Sequence, residues 1–240
     1  KFPNGRPELE KAGLYFTDRE TVDKVEKMKV CTCLNPLHTC LAIFGNLLGY
    51  TLIADEMKDP DLLRLVETLG YKEGLPVVVD PGIIKPKNFI DEVVKIRVPN
   101  PFMPDTPQRI ACDTSQKLSI RFGETIKKYL DRSDLNVNDL EVIPLVFAGW
   151  LRYLMAIDDN ANKFELNPDP LLNEVCPFVA DVKLGQKFDV HKTCEPLLKR
   201  ADIFGVDLYE AGLGEKVENY FEKLTAGVGA VRNVLNQCGM

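Results

Sequence analysis

Apolar positions recur at helical spacing over most of this chain. Residues 34–58 show it most continuously, with Gly45 and Gly49 placed where helices can approach closely. The segments 88–97, 137–156, 171–180, 190–203 and 215–237 repeat the pattern, and 137–156 carries Pro144 and Trp150. From Gln108 to about Leu130 the spacing predicts one long helix. Thr17-Asp18-Arg19-Glu20 reads as a capping box with Thr17 as the cap, opening a short helix through Lys27. Asp59-Pro60-Asp61 breaks one helix and caps the next, which is expected to reach Leu69 and stop at Gly70.

Between these periodic stretches lie the breakers. Residues 1–20 form an irregular polar arm around the patch Leu14-Tyr15-Phe16, and 157–170 form an Asp- and Asn-rich loop. Residues 99–107 hold four prolines and cannot be helical, so an extended loop is expected. Residues 76–82, with a β-branched run between prolines, suit a short strand or a buried extended segment equally. The chain is therefore mainly α, without the alternating strands of a doubly wound sheet. Gly227-Val228-Gly229-Ala230-Val231-Arg232 begins like a dinucleotide fingerprint. Arg232 stands where the third glycine belongs and a helical segment precedes it, so the glycines are assigned to helix packing.

Charge removes several partner classes. The formal net charge is -6 with lysine and arginine spread evenly, which argues against nucleic acid and anionic membrane surfaces. No apolar run approaches the roughly 18 residues of a membrane span. The start lacks an initiator Met and a signal-peptide core, which reads as a piece of a longer protein. The seven cysteines, without a secretion signal, are expected as reduced thiols in the cytoplasm. Cys31, Cys33 and His38 match no common zinc spacing, and alternation would put both sulfurs on one strand face as packing groups, so no metal is expected.

Two stretches carry candidate chemistry. In Met28-Lys29-Val30-Cys31-Thr32-Cys33-Leu34-Asn35-Pro36-Leu37-His38, a helix beginning near Pro36 with Asn35 at its cap puts Asn35 and His38 on adjacent turns. Lysine in a buried setting can act as a base, and asparagine and neutral histidine can hold an oxygen. The plainer reading is a capped helix with one satisfied core histidine. Further on, Arg109, Asp113 and Lys117 recur at four-residue steps. They read as a solvated face with Arg–Asp–Lys pairing, or as two cations that grip a carboxylate or several hydroxyls.

Together these residues resemble the mannitol dehydrogenase family of polyol-specific long-chain dehydrogenases. The resemblance rests on Met28-Lys29, Leu34-Asn35, His38, Gly45, Leu48-Gly49-Tyr50, Pro99-Asn100-Pro101, Asp105-Thr106, Arg109-Ile110, Asp113, Lys117 and residues 148–153. It is strongest over 14–175 and weak beyond about 180. It implies a multi-helix carboxy-terminal substrate domain of a two-domain enzyme, with the Rossmann domain absent from this chain. Residues 1–30 would be the lead-in from that domain and 31–240 the helical domain. It implies Lys29 as the catalytic lysine, Asn35 and His38 as holders of the reacting oxygen, and Arg109 and Lys117 as substrate-binding cations. NAD is the implied cofactor, bound mainly by the other domain, and the implied partner is a small sugar acid or polyol. The family sets its lysine five residues before the asparagine. Here the interval is six, which calls for a one-residue bulge if Lys29 is that lysine. The rival reading is a non-catalytic helical domain for ligand binding or oligomerisation.

Overall fold

The computed structural model describes residues 3–237, so Cys238 lies outside them. The helices are α1 (Arg19–Met28), α2 (Asn35–Leu48), α3 (Ile53–Glu56), α4 (Pro60–Glu67), α5 (Pro86–Glu92), α6 (Pro107–Ile110), α7 (Glu124–Asp131), α8 (Val142–Leu154), α9 (Leu172–Val179), α10 (Val190–Leu198), α11 (Ala201–Phe204), α12 (Gly214–Leu224) and α13 (Ala230–Gln237). Among the described residues there is no strand, only one isolated bridge between Ile157 and Lys163, so the mainly α expectation holds. Residues 75–77 form a 3₁₀ turn, and the backbone then runs extended from Val78.

Two helices form the centre. Proline near the start of α2 and Gly49 at φ 78° after its end set its limits, and 11 of its 14 residues are buried. All 13 residues of α8 are buried. A helix apolar all round has to be enclosed by others, and the remaining elements pack around this pair. Gly149 lets them touch: a Cβ there would stand 2.7 Å from the Phe44 ring. Edge-to-face contacts link Phe122, Phe147, Phe204 and Trp150 beneath them. Helix α1 leads through a π-helical turn and a single bend at Leu34 into α2, so Arg19–Leu48 is a 30-residue, nearly continuous helical run crossing residue 30. By length and composition it contains an 18-residue window that would suffice for a membrane span, contrary to the sequence expectation, yet that window is mostly buried in the core.

Long-range polar contacts fix the ends of the helices. Glu73 accepts the amides of Glu141, Val142 and Ile143 at 2.7, 2.6 and 3.0 Å, capping α8 from 68 to 70 residues away. Burial raises its carboxyl to about 7 against the pull of those amides. Asp59 caps α4 as expected, accepting the amide of Asp61 at 2.9 Å, and also receives Tyr50 Oη at 2.7 Å and Arg232 Nη2 at 2.6 Å. Arg232 thereby pins α13 to α4.

Several boundaries depart from the sequence reading. Asp18 rather than Thr17 caps α1, because the Asp18 carboxylate reaches the Thr21 amide at 2.8 Å. Asn35 lies inside α2 and no side chain caps that end. Gly70 does not stop the helix after α4; a π-helical turn carries it on over Thr68–Gly74. The 190–203 helix splits into α10 and α11, and the 215–237 helix into α12 and α13. At the second split the glycines make a turn rather than a packing face. Gly229 takes φ 77°, and the amides of Val231 and Arg232 close on the Asp159 carboxylate at 2.8 and 3.0 Å. The long helix from Gln108 is absent: Asp113 sits at φ 52° and ends it after α6. Asp169 stabilises the break by accepting the Ser115 amide at 2.7 Å.

Candidate functional site

Lys29 opens a π-helical turn, Lys29–Cys33, between α1 and α2. Its mark is the Leu34 amide donating to the Lys29 carbonyl, five residues back, at 3.1 Å. Such a turn holds one more residue than an α turn. The six-residue interval between Lys29 and Asn35 is taken up there and at the bend of Leu34, φ -136°, that joins the turn to α2. The turn also replaces the strand expected around Cys31 and Cys33. Among the described residues no three metal-ligating groups gather, and Cys31, Cys33 and His38 do not meet.

Lys29 and Lys27 face different surroundings. The Lys29 ammonium lies 6.0 Å from the centre of the Phe89 ring on α5, and the Arg97 guanidinium lies 5.8 Å from the same ring. Lys27 instead lines a separate cavity of about 370 Å³ with Cys31, Thr32 and Lys128. Arg97 closes the π-helical turn Val93–Arg97 and enters a small cavity of about 60 Å³. The other walls there include His38, Leu34, Ile53, Met103 and Asp105. The proline loop, non-helical as expected but built of successive turns rather than extended, brings Asp105 to this place, and its carbonyl takes the Ile53 amide at 3.0 Å.

His38 is half-buried. Burial pushes its imidazole below the usual value, Asp105 pulls the other way, and Arg121, Arg97 and Arg109 reinforce the lowering. A neutral ring is therefore the state near pH 7, able to donate from one nitrogen and accept at the other. Its side chain has no hydrogen-bond partner among the described residues. One residue on, Thr39 donates to the Asn35 carbonyl at 2.9 Å and accepts from Arg121. Asn35 and His38 thus stand on the first turn of α2, directly after the turn that Lys29 begins.

Arg109 and Lys117 do not share a helical stripe, because Asp113 breaks the helix between them. Arg109 is exposed, and its Nε donates to Asp105 at 2.8 Å in an i, i+4 ion pair. Lys117 donates to the carbonyls of Ile110 and Cys112. Burial lowers its pKa, and the neighbouring Arg121 lowers it further. Arg97 and Arg121 are the two cations near His38 that the sequence reading passed over. The one local sign of Arg97 is its position as the last basic residue before the proline loop that delivers Asp105.

Residues 21–225 match the family described as Mannitol dehydrogenase C-terminal domain. The D-mannonate oxidoreductase of Thermotoga maritima is 58% identical over 238 residues, covering 98% of this chain and 44% of that protein. The D-mannonate oxidoreductase of Escherichia coli is 28% identical over 86% of this chain and 40% of its own. The fold is similar to that of Pseudomonas fluorescens mannitol 2-dehydrogenase in its ternary complex with NAD and D-mannitol. That match has a TM-score of 0.78 and 25% identity, over 98% of this chain and 45% of the other. The chain thus spans less than half the length of these relatives.

Proposed function

Since the chain belongs to the family of mannitol dehydrogenase C-terminal domains, we propose that it is the substrate-binding and proton-transfer domain of an NAD-dependent oxidoreductase. The complete enzyme interconverts a keto-sugar acid of the fructuronate type and its hydroxy form of the mannonate type. Support comes from the 58% identity to a D-mannonate oxidoreductase and from the π turn, which absorbs the residue separating Lys29 from the family spacing.

The fingerprint-like turn, at Gly227–Gly229, leads to amides already bonded to Asp159. NAD, held elsewhere in the complete protein, supplies or takes the hydride. The residues of this chain handle the oxygen. Asn35 donates from its amide, and neutral His38 donates from one ring nitrogen, to the oxygen on the reacting carbon. Lys29 gives a proton to that oxygen in reduction and takes it back in oxidation. Lys117 contacts the substrate's hydroxyls. A cytoplasmic location accords with the free thiols of Cys31, Cys33, Cys112, Cys176 and Cys194.

The test is kinetic, in the complete enzyme with NADH and fructuronate. Lys29→Ala is expected to lower kcat on the order of 10²-fold or more, with partial recovery in added primary amine. Lys27→Ala is expected to stay near the parent. Loss confined to Lys27→Ala would overturn the assignment.

A further inference from the structure

Most arginines of this domain fall into two groups. Most are matched by acids: Arg6 by Glu10, Arg19 by Asp23, Arg109 by Asp105, Arg132 by Asp134, Arg200 by Asp202 and Arg232 by Asp59. Arg152 is buried and satisfied by carbonyls: Leu224 at 3.2 Å, Ile157 at 2.5 Å and Asp158 at 3.0 Å. Arg97 belongs to neither group. It is half-buried, it makes no ion pair or side-chain hydrogen bond among the described residues, and its one partner is the Phe89 ring.

Its surroundings sharpen the contrast. Arg97 lines the cavity that His38 also lines, and Asp105 is the one acid in that wall. Asp105 is already engaged by Arg109, so the negative charge there is spoken for. Arg97 and Arg121 leave a positive surplus around His38, and Arg121 commits a donor to Thr39. A planar guanidinium with its donors unengaged, held near a ring and lining a small cavity whose other walls are mostly apolar, suits a planar anion.

We propose that Arg97, rather than Arg109, is the residue that selects a carboxylate-bearing substrate by gripping the acid end of the sugar. This rests on the oxidoreductase reading above. Phe89 carries Lys29 and Arg97 over one ring, so the proton-transfer group and the anion-binding group are spaced on the scale of a single sugar acid. Arg97 supplies two parallel N–H bonds to the carboxylate and Phe89 keeps its plane fixed. A neutral ketose of the same length forgoes that contact.

The experiment compares kcat/KM for fructuronate and fructose in the complete enzyme and in Arg97→Gln, Arg97→Lys, Arg109→Gln and Arg121→Gln. Arg97→Gln is expected to lower the fructuronate-to-fructose ratio by about ten- to a hundredfold. Arg97→Lys should recover part of it, since the charge returns without the fork. Arg109→Gln and Arg121→Gln should leave the ratio within about threefold of the parent. Equal losses on both substrates in Arg97→Gln would overturn the proposal, as would a collapse of the ratio in Arg109→Gln alone. A parent enzyme that reduces fructose as well as fructuronate would overturn the sugar-acid reading itself, and the proposal with it. Thermal melting of each variant separates loss of fold from loss of selection.

Discussion

The two halves of this domain bend their helices by different means. Among the described residues, the four π-helical turns, Lys29–Cys33, Thr68–Gly74, Val93–Arg97 and Ser119–Gly123, all fall before residue 124. From α8 onward the chain uses α-helix, short turns and glycine breaks. The proposed site lies wholly in the half with the π turns, where Lys29 opens one, Arg97 closes another and Arg121 sits within a third. Each such turn widens the helix by one residue and redirects the next segment, and in this half Arg97 and His38, from separate helices, line one cavity while Lys29 and Arg97 share the Phe89 ring. Arg152 and Arg97 show what each half asks of the same side chain. One holds backbone carbonyls together in the core, and the other keeps its donors unengaged.

That contrast is open to measurement. Arg152→Met leaves three carbonyls without their guanidinium, and urea unfolding is expected to show a loss of about 3–5 kcal/mol. Arg97→Met should cost under about 1 kcal/mol in the same assay. Similar costs would erase the distinction between a structural and a substrate-facing arginine.

A second measurement concerns Glu56. Its side chain is buried against Gly45, neither oxygen has a partner among the described residues, and burial raises its pKa to about 9. The folded chain keeps this proton over a range where the unfolded chain releases it. Stability therefore falls as pH rises from about 4.5 towards 9. Glu73, raised to about 7, adds to the fall below that value. Glu56→Gln is expected to gain on the order of 2–4 kcal/mol at pH 8 and almost nothing near pH 4. Parallel stability–pH curves for parent and variant would contradict this. The other half has its own unpartnered group, the Trp150 indole N–H, but that group does not titrate.

The smallest effect belongs to Arg109. Its ion pair with Asp105 is a mostly exposed i, i+4 contact, so Arg109→Ala should change unfolding free energy by less than about 0.5 kcal/mol. A larger loss would mean that the pair anchors the proline loop.

What could be read from the sequence divides along the range of the interactions. Asp59 before Pro60 and the apolar period of 137–156 act within a few residues: α4 starts where expected, and α8 fills Val142–Leu154 of the expected span. The break at Asp113 depends on Asp169, and the start of α8 depends on Glu73, both more than 50 residues distant. No local pattern announces them. The π turns were hidden for another reason: one extra residue in five to seven leaves the apolar period almost intact. Only the six-residue interval between Lys29 and Asn35 hinted at one of them. Arg97 was missed because a cation shows itself as unpaired only when its neighbours in space are known.

The clasp between Arg232 and Asp59 bears on how the chain is made. The two residues stand 173 apart, and Asp59 also caps α4 and holds Tyr50. On the ribosome, α4 is synthesised early, yet the guanidinium that neutralises its buried cap appears only when residue 232 has been translated. Until then the Asp59 carboxylate has the Tyr50 hydroxyl and the Asp61 amide as donors but lacks the Arg232 cation, so the clasp closes only once the second half is made. Docking of α13 onto α4 is thus a late step in the making of the domain. Translation stalled before residue 230 would leave α4 exposed to proteases at its amino-terminal end.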